Sequence, residues 1–323
     1  MNRETLLVLG PPAEPLLARL KASAADFEIV AGTALEDFEV AASAATIIFA
    51  WGTSRDLLRQ VLLMSPKIRW VHIFSAGMNH LMSTELVESP AVLTNAKGVF
   101  SQSLGEWVLG AILYFAKDFR RLIRSQMQGR WDPYEVVEIS GQTVGIVGYG
   151  DIGQAVAKRV AAMGMRVLGL TRRGSLPNQP DPLAEQIYAP VDLIRMIEQS
   201  DYIIVTAPLT PETRNLVGEA EIAAMKPDAV IINIGRGPVI NEEALIRALS
   251  EKKIKGAALD VFHREPLPGD HPFYSMENVL LSPHCADNTP DWLENAMEFF
   301  LENLDRYRKG EPLLNLVQKE LGY

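Results

Sequence analysis

Apolar runs of four to six residues recur along this chain, and stretches of helical period separate them. In the first hundred residues the runs fall at 6–9, 28–31, 46–50, 70–74 and 92–95, with helix-like stretches between them, as at 15–24 and 54–64. Strand and helix alternating in this way imply an open parallel α/β sheet. A second series begins at 143, with runs at 143–147, 166–170, 202–206, 229–234, 256–261 and 279–282. Six such strands fit a doubly wound nucleotide-binding sheet.

Between the two series, residues 101–119 read as one helix, apolar on nearly every face and therefore buried, between two domains. Thr210-Pro211 reads as a helix N-cap followed by proline at the first helical position. Asn241 caps a helix over 244–249, with Glu242 and Glu243 in its first turn. Residues 175–190, with Pro177, Pro180, Pro182 and Pro190, read as a surface loop. The last helical stretch, 292–308, turns Glu294, Glu298, Glu302 and Asp305 to solvent and Leu293, Ala296, Met297, Phe300 and Leu304 inward. It comes after the final strand and is expected to return to the first sheet. The first domain is then discontinuous, residues 1–99 and 288–323, around a second of residues 100–287. Two crossings, near 97–101 and 285–290, leave a cleft that can close.

The richest stretch is Thr143-Val144-Gly145-Ile146-Val147-Gly148-Tyr149-Gly150-Asp151-Ile152-Gly153. A buried strand stops at glycines spaced G-x-G-x-x-G, and a helical pattern starts at Gln154. Such a turn lets backbone N–H groups and a helix dipole meet a pyrophosphate. Glycines alone are weak evidence; the strand–turn–helix context is what the motif requires. An NAD-type site offers Asp or Glu about 20 residues beyond the glycines for the ribose hydroxyls. Here the chain has Leu170-Thr171-Arg172-Arg173, without a carboxylate. Two guanidinium groups and a hydroxyl suit a 2′-phosphate, so NADP(H) is preferred and NAD(H) remains possible. The alternative is a solvated basic turn.

Composition narrows the partners. The chain has 323 residues, 48% hydrophobic and 22% charged, with net charge −9, which is ordinary globular usage. An acidic balance argues against nucleic acid or an anionic membrane. It leaves room for an anionic substrate, since a few arginines dominate one cleft. With Cys285 alone, neither a disulfide framework nor a cysteine-based zinc site is available, and no metal is expected. No run approaches the ~18 apolar residues of a membrane span, and the apolar start is too brief for a signal peptide. A cytoplasmic enzyme is the expectation.

Three candidate sites lie at strand ends of the second sheet, where such folds place ligands. In Asn233-Ile234-Gly235-Arg236-Gly237-Pro238, an arginine between glycines can fork onto a carboxylate; the alternative is an arginine packed on a turn. The other two are Asp260-Val261-Phe262-His263-Arg264-Glu265-Pro266 and Ser282-Pro283-His284-Cys285. Glu265 and His284, each placed just past one of two consecutive strands, can face one another, the carboxylate steadying the imidazole and favouring its charged form. Alone, His284 would read as structural. Neighbours on an extended strand face opposite sides, which argues against a nucleophilic Cys285–His284 pair.

With these residues in view, the chain resembles the D-isomer-specific 2-hydroxyacid dehydrogenases. The resemblance runs from about residue 45 to 305 through Ser75-Ala76-Gly77-Met78-Asn79-His80, residues 148–153, Thr206-Ala207-Pro208-Leu209-Thr210-Pro211-Glu212-Thr213, residues 233–237, 260–268 and 282–286. It implies a doubly wound Rossmann domain inserted into a flavodoxin-like, discontinuous substrate domain, and a homodimer joined through the nucleotide domains. It implies Arg236, Glu265 and His284 as a catalytic triad acting on a small 2-oxo acid. It places Gly148, Gly150, Asp151, Ile152 and Gly153 at the pyrophosphate. Ala207 and Pro208 fall beside the adenosine, Ile234 and Asp260 near the nicotinamide, and Gly235 is a further cofactor-binding residue. Backbone amides at Gly77 and Met78 are assigned to the substrate carboxylate, together with Arg236. The expected activity is reduction of glyoxylate, hydroxypyruvate or a related acid. Phosphoglycerate dehydrogenase is an alternative, formate dehydrogenase fits the Glu265 and His284 pairing less well, and a non-catalytic NAD(P)-sensing protein belongs to a different class. Asp287 departs from the family's small residue at that place. His80 is a candidate substrate contact; His72, His263 and His271 read as structural or exposed. Trp51, Met78, Trp131 and Trp292 could line a substrate pocket or pack in a core.

Overall fold

The computed structural model describes residues 3–11, 14–176 and 181–322. It divides into two compact units, Met1–Val99 with Thr289–Tyr323, and Phe100–Asn288. In the first unit, β1 (Glu4–Leu9), β2 (Phe27–Gly32), β3 (Ala45–Ala50), β4 (Trp70–Ile73) and β5 (Val92–Asn95) form a parallel sheet in the order β2-β1-β3-β4-β5. That is the flavodoxin-like order. Leu6 stands level with Ile29 and Ile47 across the sheet. Leu6, Leu7, Val8 and Leu9 have no exposed surface, so the strand reads as an unbroken apolar run and not as an alternation.

Crossovers are made by α1 (Glu14–Ser23), α2 (Arg55–Met64) and α3 (Thr84–Glu88). Ser54 caps α2 by accepting from the Leu57 amide at 3.1 Å, and the helix buries Leu58, Val61 and Leu62. The helix Trp292–Lys309 belongs to this unit. It buries Ala296, Met297, Phe300 and Leu304. The Phe300 ring lies parallel to Phe49 at 4.0 Å and stacks on Trp70 at 5.3 Å. Of its acidic face, Glu298 pairs with Arg19. Beyond the helix, the Val317 amide donates to the Leu93 carbonyl at 2.9 Å.

The second unit holds β6 (Thr143–Val147), β7 (Arg166–Leu170), β8 (Gln186–Tyr188), β9 (Tyr202–Val205), β10 (Val230–Asn233), β11 (Gly256–Leu259) and β12 (Val279–Leu281), with helices α4 (Ser101–Ala116), α5 (Phe119–Met127), α6 (Asp151–Ala162), α7 (Leu193–Gln199), α8 (Glu219–Ala223) and α9 (Glu242–Ser250). The parallel order is β12-β11-β10-β9-β6-β7-β8. From β8 to β11 this is the doubly wound nucleotide-binding arrangement, with β12 added outside. Chain order reverses between β6 and β9, which makes the carboxyl ends of those strands the place for a ligand.

Three readings of the sequence are corrected. The sheet has seven strands, because β8 lies inside the stretch read as a proline-rich loop. It is three residues long and, among the described residues, pairs only with β7, and an edge strand so short carries no periodic signal. Residues 177–180 of that stretch lie outside the described residues. Thr210-Pro211 starts a turn and not a helix. The Thr210 carbonyl accepts from the amides of Thr213 and Arg214. Then Asn215 enters the left-handed region at φ 53°, and its amide turns away to the Pro238 carbonyl at 2.9 Å. Finally, the helix expected over 101–119 ends at Ala116. Asp118, at φ 46°, begins α5 and accepts from the Arg121 amide.

Candidate active site

The loops that leave β6, β9, β10, β11 and β12 at their carboxyl ends carry the catalytic and pyrophosphate candidates, all within the second unit. The glycine turn shows what each glycine does. Gly148 has φ +103°, and a Cβ on it would lie 2.6 Å from the Ala207 amide nitrogen. A Cβ on Gly153 would lie 2.5 Å from the Gly148 carbonyl oxygen, whereas one on Gly150 would meet nothing within 4 Å. The first and third glycines therefore close the turn onto its neighbours, and the second opens onto free space at the start of α6. That is the division of labour a pyrophosphate requires, and the turn fits a dinucleotide. The Asp151 carboxylate accepts from the Ser101 hydroxyl, a partner that nothing in the sequence pattern announced.

At the end of β7, Thr171 donates its amide to the Tyr188 carbonyl at 3.1 Å. Its hydroxyl and the backbone of Ser175 close a turn that exposes Arg172 and Arg173. Glu212 lies within electrostatic reach of Arg172, and its carboxyl is held below the ordinary range by the Thr210 hydroxyl, its own amide and Arg172. The segment 207–213 is fixed by Thr213, whose hydroxyl donates to the Pro208 carbonyl at 2.6 Å.

The catalytic candidates converge. Nδ1 of His284 lies 2.7 Å from Glu265 Oε2. The other glutamate oxygen accepts from the Phe262 amide at 2.9 Å, so the carboxylate is oriented before the imidazole meets it. His284 is itself in the left-handed region, φ 52°, which a histidine adopts only when its surroundings hold it. Asp260 does this: fully buried at the end of β11, its Oδ1 accepts from the amides of Cys285 and Ala286 at 3.0 and 3.2 Å. These two amides come directly after His284 and fix the loop on its far side.

Arg236 is positioned by a buried neighbour. Asn233 accepts from the Gly235 amide at 3.0 Å and donates to the Arg236 carbonyl at 3.1 Å. A Cβ on Gly237 would lie 2.0 Å from the Phe262 carbonyl carbon, so only glycine lets this loop press against the one bearing Glu265. Burial pushes the guanidinium pKa down, and the charges of Glu265 and Asp287 push it back up. Asp287 is the unexpected member. Burial and the charge of Asp260 raise its carboxyl above the ordinary range, while His284 and Arg236 pull it back.

The remaining candidates separate. His284 and Cys285 lie beyond β12, not on an extended strand, and the thiol lies 3.4 Å from the Ser282 hydroxyl. Gly77 and Met78 lie in the first unit, in the loop after β4, where the Gly77 carbonyl accepts from the Ser75 hydroxyl at 2.7 Å. The Met78 side chain is buried in that unit's core. Trp51 stacks on Phe74 at 3.8 Å, and Trp292 packs against the same ring. Trp131 is 97% exposed. The role of Asn233 was missed in the sequence, where a buried asparagine closing an apolar strand was the available signal.

Residues 109–286 match the D-isomer specific 2-hydroxyacid dehydrogenase, NAD binding domain, family model. The chain is 35% identical over 274 residues to a glyoxylate reductase of Thermofilum pendens, covering 81% of this chain and 78% of that protein. It is 31% identical over 317 residues to a D-3-phosphoglycerate dehydrogenase of Methanocaldococcus jannaschii, covering 97% of this chain and 59% of the relative. Among solved structures, a D-isomer specific 2-hydroxyacid dehydrogenase of Xanthobacter autotrophicus in complex with NADPH and MES superposes with TM-score 0.86 at 29% identity, over 100% of both chains. The chain belongs to the family of D-isomer specific 2-hydroxyacid dehydrogenases, and it is an oxidoreductase with a Rossmann nucleotide-binding domain.

Proposed function

We propose that this protein is an NADPH-dependent reductase of small 2-oxo acids, with glyoxylate and hydroxypyruvate as the first substrates to test. The observation that carries the reading is the 2.7 Å contact between His284 Nδ1 and Glu265 Oε2, with Arg236 within electrostatic reach of the same carboxylate. The reduced nicotinamide, when bound, supplies a hydride for C2 of the substrate. His284, held at Nδ1 by Glu265, has Nε2 left to give a proton to the carbonyl oxygen on which negative charge develops. Arg236 binds the substrate carboxylate and polarises that carbonyl. The product is the 2-hydroxy acid.

The glycine turn, with Asp151 and Ile152 opening α6, would hold the pyrophosphate. Ala207 and Pro208 would lie along the adenosine, and Ile234, Gly235 and Asp260 at the nicotinamide end. Arg172 and Arg173, with no carboxylate in their turn, support the 2′-phosphorylated cofactor. The NADPH named for the Xanthobacter structure agrees with that choice. The test is absorbance at the NADPH band with a panel of 2-oxo acids and both cofactors. Replacing Arg172 and Arg173 together by alanine is expected to lower kcat/KM for NADPH by ~10–100-fold while NADH changes little. A wild-type preference for NADH would overturn the cofactor assignment. The methanogen relative makes 3-phosphohydroxypyruvate the second substrate to include.

The partner is a second copy of the chain, in the cytoplasm. Along and beyond α5, Leu122, Ile123, Met127, Trp131 and Val136 are exposed, an apolar surface that suits association. No helix among the described residues is long and apolar enough to cross a membrane. Sedimentation of the wild type and of Ile123→Asp tests the dimer: a monomeric wild type would refute it.

A further inference from the structure

Tyr149 occupies the first variable position of the glycine turn and is 2% exposed. Its amide donates to the Leu170 carbonyl at 2.8 Å. Its ring lies over Gly169 of β7: a Cβ on that glycine would fall 2.7 Å from the ring and 2.8 Å from Ile187 of β8. The hydroxyl emerges beyond and donates to Asp181 Oδ1 at 3.0 Å. The same oxygen accepts from the amides of Leu183 and Ala184 at 2.9 and 2.7 Å. The next residue, Glu185, donates its amide to the Val167 carbonyl at 2.9 Å and leads into β8. From the far end of β8, Tyr188 accepts the amide of Thr171.

Arg172 and Arg173 thus sit in a turn bracketed on both sides by contacts that trace back to one residue, Tyr149, through its amide on one side and its hydroxyl on the other. On one side is Leu170, bonded to the backbone of Tyr149. On the other is β8, whose entry is folded around Asp181. Both partners of the hydroxyl contact keep the protonation state it needs. Burial and the bond to Asp181 push the Tyr149 hydroxyl above its ordinary range, so it stays a donor. Burial would raise the Asp181 carboxyl, but the amides of Ala184 and Leu183 and the Tyr149 hydroxyl outweigh that and hold it below its ordinary range.

We propose that Tyr149 and Asp181 are positioning residues for cofactor choice: their hydrogen bond sets the Arg172–Arg173 turn at the distance from the glycine turn that a 2′-phosphorylated dinucleotide spans. This rests on the assignment of that arginine pair to a 2′-phosphate. Neither side chain touches the reacting atoms, so the effect is on binding and not on turnover. A packing role alone would be served equally by phenylalanine, which keeps the ring over Gly169 and loses only the hydroxyl.

The experiment is calorimetric titration of the purified protein with NADPH and, separately, with NADH, for wild type, Tyr149→Phe, Asp181→Asn, the double variant, and Arg172→Ala with Arg173→Ala. Tyr149→Phe is expected to weaken NADPH by about ten- to a hundredfold, the worth of one hydrogen bond to a charged group, and Asp181→Asn, which leaves a neutral acceptor at Oδ1, by about five- to tenfold. NADH is expected to stay within about twofold, and the double variant to be no worse than Tyr149→Phe, which already removes the contact that Asp181→Asn only weakens. Asp181→Asn leaves the ring in place and gives the answer if Tyr149→Phe folds poorly. Equal weakening of both cofactors, or of neither, overturns the proposal while leaving the arginine assignment intact. A wild type that binds NADH as tightly as NADPH, or an arginine double variant that keeps its NADPH affinity, overturns the assignment and the proposal with it.

Discussion

In the five-stranded unit, His72 lies on β4 with no exposed surface, whereas in the seven-stranded unit His284 stands in a loop beyond β12 with 43% of its side chain exposed. Nδ1 of His72 is 2.8 Å from the Thr94 hydroxyl, which also accepts from the Trp70 indole. Its Nε2 has no hydrogen-bond partner among the described residues, and Phe49 and Phe300 pack around the ring. Burial drives its pKa to about 3, so it is a neutral aromatic in all but name. Nδ1 of His284 meets a carboxylate instead, and two amides bonded to Asp260 hold its strained backbone. The same side chain is packing material where a strand buries it and, under the proposed function, a proton donor where a strand releases it. What separates the two is the presence of a charge partner and an open nitrogen, which residue type does not reveal.

The contrast breaks most visibly at His284. His284→Asn is expected to lower kcat by ~10²–10⁴-fold, the worth of a general acid, with the melting temperature little changed. Undiminished turnover would make the loop histidine as inert as the buried one. Glu265→Gln sharpens the point, because it replaces a charge-assisted bond by a neutral one. A loss of ~10–100-fold in kcat/KM is expected in the same assay.

The buried histidine should reveal itself through pH and not through rate. Its folded pKa lies below the unfolded value of about 6.5, so the unfolded chain binds a proton that the native state refuses. Stability from the neutral ring is complete above pH 6.5 and falls by about 1.4 kcal/mol per unit as pH drops toward 3. Urea midpoints at pH 7 and pH 5, monitored by tryptophan fluorescence, should show this slope in the wild type and lose it in His72→Phe. An unchanged slope would mean that the ring reaches water.

The smallest effect is expected at Asp287. A carboxyl whose folded pKa is raised favours the native state when protonated, and that contribution is lost as pH rises through the folded value. Asp287→Asn should therefore stabilise the protein at pH 7 by under about 1 kcal/mol, with the gain vanishing near pH 4. A loss of stability at pH 7 would show that Arg236 and His284 more than offset the burial of that charge.

The sequence disclosed what a strand or a turn must do by itself. Residues 143–153 were legible because a strand buried on both faces prints as an apolar run and because glycine alone suits the turn at its end. Glu265 and His284 were legible as residue types placed just past consecutive strands. Gln186–Tyr188 was not, since three residues on a sheet edge have no periodicity. Thr210-Pro211 misled because a cap is a local signal, while a helix continues only if the residues beyond the cap keep helical backbone angles, and Asn215 adopts a left-handed conformation instead. The contacts that support the site stayed hidden for one reason, even at Asp260, which the sequence had marked for the nicotinamide end. Asp260, Asn233 and Ser101 act through backbone groups or side chains brought to them by the fold, and the contact partners of Asp260 and Ser101 lie 25 or more positions away.

The parallel rings of Phe49 and Phe300 bear on how the chain matures. The five-stranded unit opens the sequence, yet Phe49 and Trp70 have no lid until Phe300 has been synthesised. The seven-stranded unit, contiguous in the chain, has no such wait. A nascent chain would therefore complete its middle before its beginning, holding the first five strands with an uncovered face in the meantime.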